Sequence, residues 1–245
     1  MIKGKKLLVF SAHAADFVWR SGGTIAKYIA GGADVCVVLL SMGVRGESNF
    51  LWKDPANQTY ENVESLRKYE TMNAARTLGL TEDNIEFWGY QDYPIPITDE
   101  LPERILRKIR EFRPDFIITH DKEDVLNPDH NAISELVWRC SVFSNSAGVI
   151  VDDLKVTKQM QFYGFEPHQT EISSFVPDIF IDITDFFEQK VRAMKCFEAQ
   201  HHLIEIYTQR AILRGNHCAR LSGKSQYKYG ECFGRRYPLV SEELL

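Results

Sequence analysis

The order of segments predicts an α/β domain built on a doubly wound, mostly parallel sheet with helices on both faces. Two observations carry that prediction. Strand-like and helix-like segments alternate through the first 140 residues, as in a parallel sheet linked by crossover helices. The run DVCVVLLSM at 34–42 is apolar and rich in β-branched residues, with no polar alternation, as expected of a strand covered on both faces.

KKLLVFSA (5–12) is a short apolar run suited to a buried first strand. LLVF is too short for a signal core or a membrane span. GGTIAKYIAGG (22–32) reads as a helix closed by glycines, and ENVESLRKYETMNAARTLGL (61–80) as a long helix ending at Gly79. IEFWGY (85–90) is a short strand. TDELPERILRKIREF (98–112) is a helix with Thr98 as its expected N-cap and acids in the first turn. Its Leu101, Ile105, Ile109 and Phe112 recur at helical spacing and should face the sheet. PDFIITH (114–120) gives a fourth strand. Beyond about residue 157 the pattern is less regular: QMQFYGF and DIFIDIT read as strands, and 185–207 as one helix. No repeat, linker or composition shift marks a boundary, so a single domain over 1–245 is expected.

The chain is 44% hydrophobic and 26% charged, enough apolar residues for a full core. A net charge of -5 argues against a nucleic-acid partner, and no apolar run suggests a membrane one. Five scattered cysteines without a CxxC pair suggest neither disulfides nor a thiolate metal site, and the expected compartment is a reducing cytoplasm.

Ligands in open α/β sheets sit beyond the carboxyl ends of the strands. There the sequence places His13 and Asp16 after the first strand, and Arg45 and Glu47 after the second. Tyr90 and Asp92 follow the third, and His120, Asp121, Asp124, Asp129 and His130 the fourth. His13, Asp16 and a second imidazole from PDHN would give three N/O ligands with an open position, the pattern of a catalytic zinc site. The plainer alternative is a helix-capping His13 and a surface His130.

At these residues the sequence resembles the LmbE-like, or PIG-L, N-acetylglucosaminyl deacetylase family. SAHAADFVWRSGGTIAKY matches that family's AHPDDE followed by GG. The likeness continues through Gly46-Glu47, the Arg67-containing helix ending AARTLGL, TH at His120, PDHN at His130 and YGECF near the C-terminus. It implies a Rossmann-like fold and one Zn2+, or another divalent ion, per chain on His13, Asp16 and His130. The departures are equally informative. Ala15 stands where the family has its general base, with Ala14 and Phe17 on either side of the Ala15-Asp16 pair. Asn127 stands where an imidazole usually precedes the last ligand. Through AHAADFVWR, RGES and EPHQTE the chain more closely resembles the zinc-dependent 4-oxalomesaconate hydratase branch. That branch implies hydration of an unsaturated oxo tricarboxylate to 4-carboxy-4-hydroxy-2-oxoadipate, and the family suggests a homo-oligomer.

Hydration needs a Lewis acid and an acid–base pair, for which Glu47 and His168 are the remaining candidates. The plainer readings are a salt-bridging Glu47 and an exposed loop His168. A small anionic polycarboxylate substrate calls for arginines, and Arg20, Arg45 and Arg67 lie on elements leading into the cleft. Asp92 and Asp129 are expected to support, fixing a ring or an arginine. His201 and His202 read as surface or interface residues. Two competing readings are an amino-sugar deacetylase that recruits Glu47 as base, and a family member that binds metal or carbohydrate without turnover.

Overall fold

A computed structural model describes residues 2–57 and 59–240. Seven strands form one sheet in the order β3-β2-β1-β4-β5-β7-β6. They are β1 (Lys6–Ser11), β2 (Asp34–Ser41), β3 (Ile85–Tyr90), β4 (Phe116–His120), β5 (Gln161–Phe165), β6 (Ile179–Asp182) and β7 (Gly230–Arg235). Strands β1 to β5 pair in parallel, and β7 runs antiparallel between β5 and β6. The helices are α1 (Asp16–Ala30), α2 (Tyr60–Leu78), α3 (Glu100–Phe112), α4 (Pro128–Phe143), α5 (Phe187–Met194) and α6 (Leu203–Ser222). No helix among the described residues is long and apolar enough to cross a membrane. All five cysteines are free.

The period of two along β1 and β2 divides the core. Leu7, Val9, Val35, Val37 and Leu39 face one apolar cluster with side chains of α1, α2 and α5. Leu8, Phe10, Cys36, Val38 and Leu40 face a second cluster with α3 and α4. Both faces of the central strands are therefore dry, which explains the absence of polar alternation in the sequence.

Helix α3 presents the predicted stripe: Leu101, Ile105 and Ile109 are fully buried and Phe112 partly so. Its N-cap is Asp99 rather than Thr98, and neither closes the end with a side-chain bond. Helix α2 starts as its sequence suggests, with Thr59 accepting from the Asn62 N–H, and ends at Gly79 with φ 95, a left-handed cap that glycine adopts without strain.

Three elements depart from expectation. Helix α4 was hidden in the PDHN segment. Its signals were Asn127, whose side chain accepts the His130 N–H, and Pro128 in the first turn. The YGECF segment runs into an internal strand, β7, next to the edge. The single helix expected over 185–207 is broken by a 3-10 turn at Glu198–Gln200, and α6 continues to Ser222. Helix α5 ends at Met194, and within the break the Ala199 N–H takes a tertiary partner, Glu70 Oε1 at 3.1 Å.

Candidate metal centre

Strand β1 sits where the order reverses. The helix after β1 covers one face and the helix after β4 covers the other, so a crevice opens between their carboxyl ends. The turn from β1 into α1 is closed by its own side chains. Ser11 Oγ donates to the His13 carbonyl at 2.8 Å and accepts the Phe17 N–H at 3.2 Å, while Asp16 Oδ2 accepts the His13 N–H at 2.9 Å. His13 and Asp16 meet in that crevice. From β4 and the start of α4, His130 reaches the same point.

His13, Asp16, Glu47 and His130 each offer one donor atom, and the four lie within 4.8 Å of one another. His13 Nδ1 is 3.1 Å from His130 Nε2, 3.4 Å from Asp16 Oδ2 and 3.1 Å from Glu47 Oε1. His130 Nε2 is 3.3 Å from Asp16 Oδ1. Each ring is held from its other nitrogen. Asp129 Oδ2 lies 3.2 Å from His13 Nε2, and Asp124 Oδ2 lies 3.0 Å from His130 Nδ1. His120 stacks on His130 with centroids 3.8 Å apart and accepts the Ala12 N–H at 3.0 Å.

The electrostatics fit a cation. Burial works against charge on His13, but Glu47, Asp129 and Asp16 outweigh it and hold its pKa well above the ordinary value. Burial would raise the Asp16 carboxyl, but His130, His120 and His13 hold it well below its usual range. Two imidazoles among converging carboxylates attract positive charge, and an N/O donor set of this kind suits zinc and other divalent ions.

Glu47 is positioned by a pinned loop. Asp92, fully buried, accepts the N–H groups of Arg45 at 2.9 Å and Gly46 at 2.7 Å. A Cβ on Gly46 would lie 2.2 Å from the Tyr93 ring, so only glycine fits there. Asn127 Nδ2 donates to Glu47 Oε1 at 3.3 Å and Gln200 Nε2 to Oε2 at 3.4 Å. Burial would raise the Glu47 carboxyl, yet His13 beside it keeps it below its ordinary value.

A cavity of about 450 Å³ opens over this group, lined by Asp16, Arg20, Glu47, His130, His168 and Tyr207 among others. His168 Nδ1 lies 3.4 Å from the Tyr207 hydroxyl, and the backbone N–H of His168 donates to Asp124 Oδ2 at 3.4 Å. Burial first, then the charges of Arg20 and Arg210, lowers its pKa below the ordinary histidine value.

The three arginines expected at the substrate divide. Arg20 lines the cavity, but its Nη1 donates to the Glu166 carbonyl at 3.0 Å and its Nη2 to Asp124 at 3.2 Å. Arg45 is exposed and does not line the cavity. Arg67 is the clear correction. It has no exposed surface, and its guanidinium donates to the Met42 carbonyl, Glu70 and Gln200. Arg67 thereby supports the chain break that delivers Gln200 to Glu47. Asp129 fixes a ring as expected of it, whereas Asp92 fixes backbone.

Asp124, Asn127, Gln200 and Tyr207 had no part assigned from sequence. Asp124 was visible only as one of five polar residues after β4. Gln200 carried no signal, because its place depends on a contact with Arg67, 133 residues away. His201 and His202 also line the cavity.

The same arrangement of elements occurs in known proteins. The PIG-L model (GlcNAc-PI de-N-acetylase) matches residues 8–141. A 4-oxalmesaconate hydratase of Pseudomonas putida is 36% identical over 243 residues, spanning 98% of this chain and 92% of that protein. The crystal structure of a 4-carboxy-2-hydroxymuconate hydratase from Pseudomonas putida aligns with a TM-score of 0.92 at 36% identity, covering 98% of this chain and 100% of that one. A diacetylchitobiose deacetylase from Pyrococcus horikoshii aligns with a TM-score of 0.77 at 22% identity over 94% of this chain and 83% of that one, a likeness of fold.

Proposed function

The chain belongs to the PIG-L family, and from that premise we propose that it is a metal-dependent hydratase acting on 4-oxalomesaconate, not a deacetylase. The observation that carries this reading is the state of Ala15. Where the family pattern has its base, this side chain is fully buried in the apolar cluster beneath α1, while the donor group around it is complete. The 36% identity to a hydratase over nearly the whole chain supports the same conclusion. The expected substrate is a ring-cleavage product of gallate and protocatechuate breakdown.

His13, Asp16 and His130, with Glu47 beside them, would hold the ion, zinc by donor chemistry, which when bound supplies a Lewis acid for negative charge developing on the substrate oxygen. The rest falls to the chain. Hydration places the hydroxyl of water on one carbon of the double bond and a proton on the other, so one proton must travel from water to carbon. Glu47 and His168 line the same cavity, and both are biased toward their unprotonated forms. One of the pair takes the proton from water, and that proton, directly or by exchange with its partner, reaches carbon. Asn127 and Gln200 hold the Glu47 carboxylate from both oxygens. The cavity size suits a small ligand of this kind.

The test is to incubate metal-loaded protein with 4-oxalomesaconate and, separately, with N-acetylglucosamine derivatives. Loss of the conjugated absorbance with formation of 4-carboxy-4-hydroxy-2-oxoadipate is expected. Glu47→Gln should lower turnover by roughly 10²–10⁴-fold while His13, Asp16 and His130 still retain metal. Acetate release without hydration would overturn the reading in favour of the deacetylase.

A further inference from the structure

The cavity is polar in opposite senses at its two ends. The carboxylates that line it, Asp16, Glu47 and Asp124, all belong to the floor, where they surround His13 and His130. The outer wall carries Asn49, Phe50, Lys53, His201 and His202, and no acid. A tricarboxylate cannot place all of its charge against the floor, because one ion there cannot neutralise both the resident carboxylates and three more.

The arginines do not solve this. Arg45 and Arg67 do not line the cavity, and Arg20 is committed to Asp124 and Glu166. Lys53 does line it, and its ammonium has no ion pair or hydrogen bond among the described residues. The backbone that carries it is nonetheless held in place. Lys53 ends a 3-10 turn, Leu51–Lys53, whose Leu51 is buried. Within that turn the Leu51 N–H bonds the Ser48 carbonyl at 2.9 Å, and Trp52 Nε1 donates to the Val44 carbonyl at 2.7 Å. The same short segment therefore carries Glu47 at the floor and Lys53 at the mouth. His201 extends the wall beside it, its ring packed edge-on against Phe50 at 5.0 Å.

We propose that Lys53 binds a substrate carboxylate remote from the reacting double bond, and that this contact makes the cavity selective for tricarboxylates over dicarboxylates. The proposal rests on the hydratase reading for the identity of the substrate, but the subsite can be measured without turnover.

Calorimetry on the metal-loaded protein would use tricarballylate and glutarate, which differ by one carboxylate, alongside steady-state kinetics with 4-oxalomesaconate. Lys53→Ala should weaken tricarballylate binding and raise KM by about fivefold, the upper end for a solvent-accessible ion pair, with kcat changed less than threefold. Lys53→Glu should weaken both by about 25-fold, since attraction is replaced by repulsion of similar size. Lys53→Arg should restore binding. Lys224→Ala, on the exposed C-terminal side of α6 and away from the cavity, should change neither. Added salt should weaken binding to wild type more than to Lys53→Ala. If Lys53→Ala matches wild type in tricarballylate affinity and KM while hydration proceeds, the subsite is overturned and the hydratase reading stands. If wild type hydrates nothing but binds tricarballylate in a Lys53-dependent way, the hydratase reading fails and the subsite stands.

Discussion

Asp129 Oδ2 lies 3.2 Å from Nε2 of His13, on the far side of the ring from the Nδ1 atom that faces Asp16, Glu47 and His130. A carboxylate only accepts, so Nε2 keeps its proton and Nδ1 is the nitrogen that a cation would occupy, displacing the proton there. Asp129 is itself held by the N–H groups of Tyr93 and Ile95, each at 2.9 Å. Asp129→Ala keeps every donor but frees the ring to turn. Metal affinity, measured by competition with a chelating chromophore, should fall by roughly 10–100-fold. Unchanged affinity would show that the ring is oriented by something else.

Arg210 is expected to set the acid limit of activity. Its two terminal nitrogens donate to the carbonyls of Pro167 and His168, both at 2.8 Å, clamping the chain around that imidazole. Burial, Arg20 and Arg210 together lower the His168 pKa. As the base that takes the proton from water, His168 works as the neutral ring, so activity is full above the lowered value and falls as pH drops through it, below the ordinary 6.5. Arg210→Ala removes one of the depressing charges, and the acid limb of kcat/KM should move upward toward 6.5. A limb that stays in place while only stability changes would make Arg210 a structural residue alone.

A buried ion pair ties β7 to α5, and its carboxylate also holds the middle of α1, the helix that carries Asp16 and Arg20. Lys190 Nζ is 2.7 Å from Glu231 Oε1, with both side chains almost fully buried, and Glu231 also accepts the N–H groups of Gly23 and Thr24 at 2.9 and 2.8 Å. Lys190→Met keeps the volume but strands the carboxylate. Breaking such a pair costs about 3–5 kcal/mol, and the two remaining N–H bonds place this case near the lower figure. Thermal unfolding should show the loss, while the folded fraction keeps its metal. A variant as stable as wild type would mean that the Gly23 and Thr24 N–H groups alone satisfy Glu231.

The convergence of His13, Asp16 and His130 was legible because all three lie just beyond strand ends in the sequence. His13 and Asp16 need only the turn after β1, and His130 needs only the start of α4. The supporting network was less so. An arginine on a helix reads the same whether it meets a ligand or a carboxylate of its own chain, and Arg67 meets Glu70 and Gln200 in complete burial. The break before α6 was invisible for a related reason. Local preference continues the helix, and the partner that takes the Ala199 N–H is Glu70, far away in sequence. The doubly wound order was legible from alternation, but β7 entered the sheet antiparallel from a segment read only as a motif.

Ala15 is one of the positions where this chain departs from the family pattern. Ala15→Asp restores the family's carboxylate, and two opposing effects determine the outcome. An aspartate at an N-cap gains about 1 kcal/mol when it bonds the first turn. At Ala15, however, φ and ψ are -105 and -13, helical rather than extended, and no cap bond forms there now. The side chain would instead enter the apolar cluster shared with Phe17, Val18 and Trp19, at a position with no exposed surface. Burying an unpaired carboxylate costs several kcal/mol even after relaxation, so burial outweighs the cap. The variant should melt well below wild type and release no acetate from N-acetylglucosamine derivatives above background, as read by calorimetry and an acetate assay. An unchanged melting temperature with new deacetylase activity would show that the pocket accepts a carboxylate at this position and overturn the burial argument.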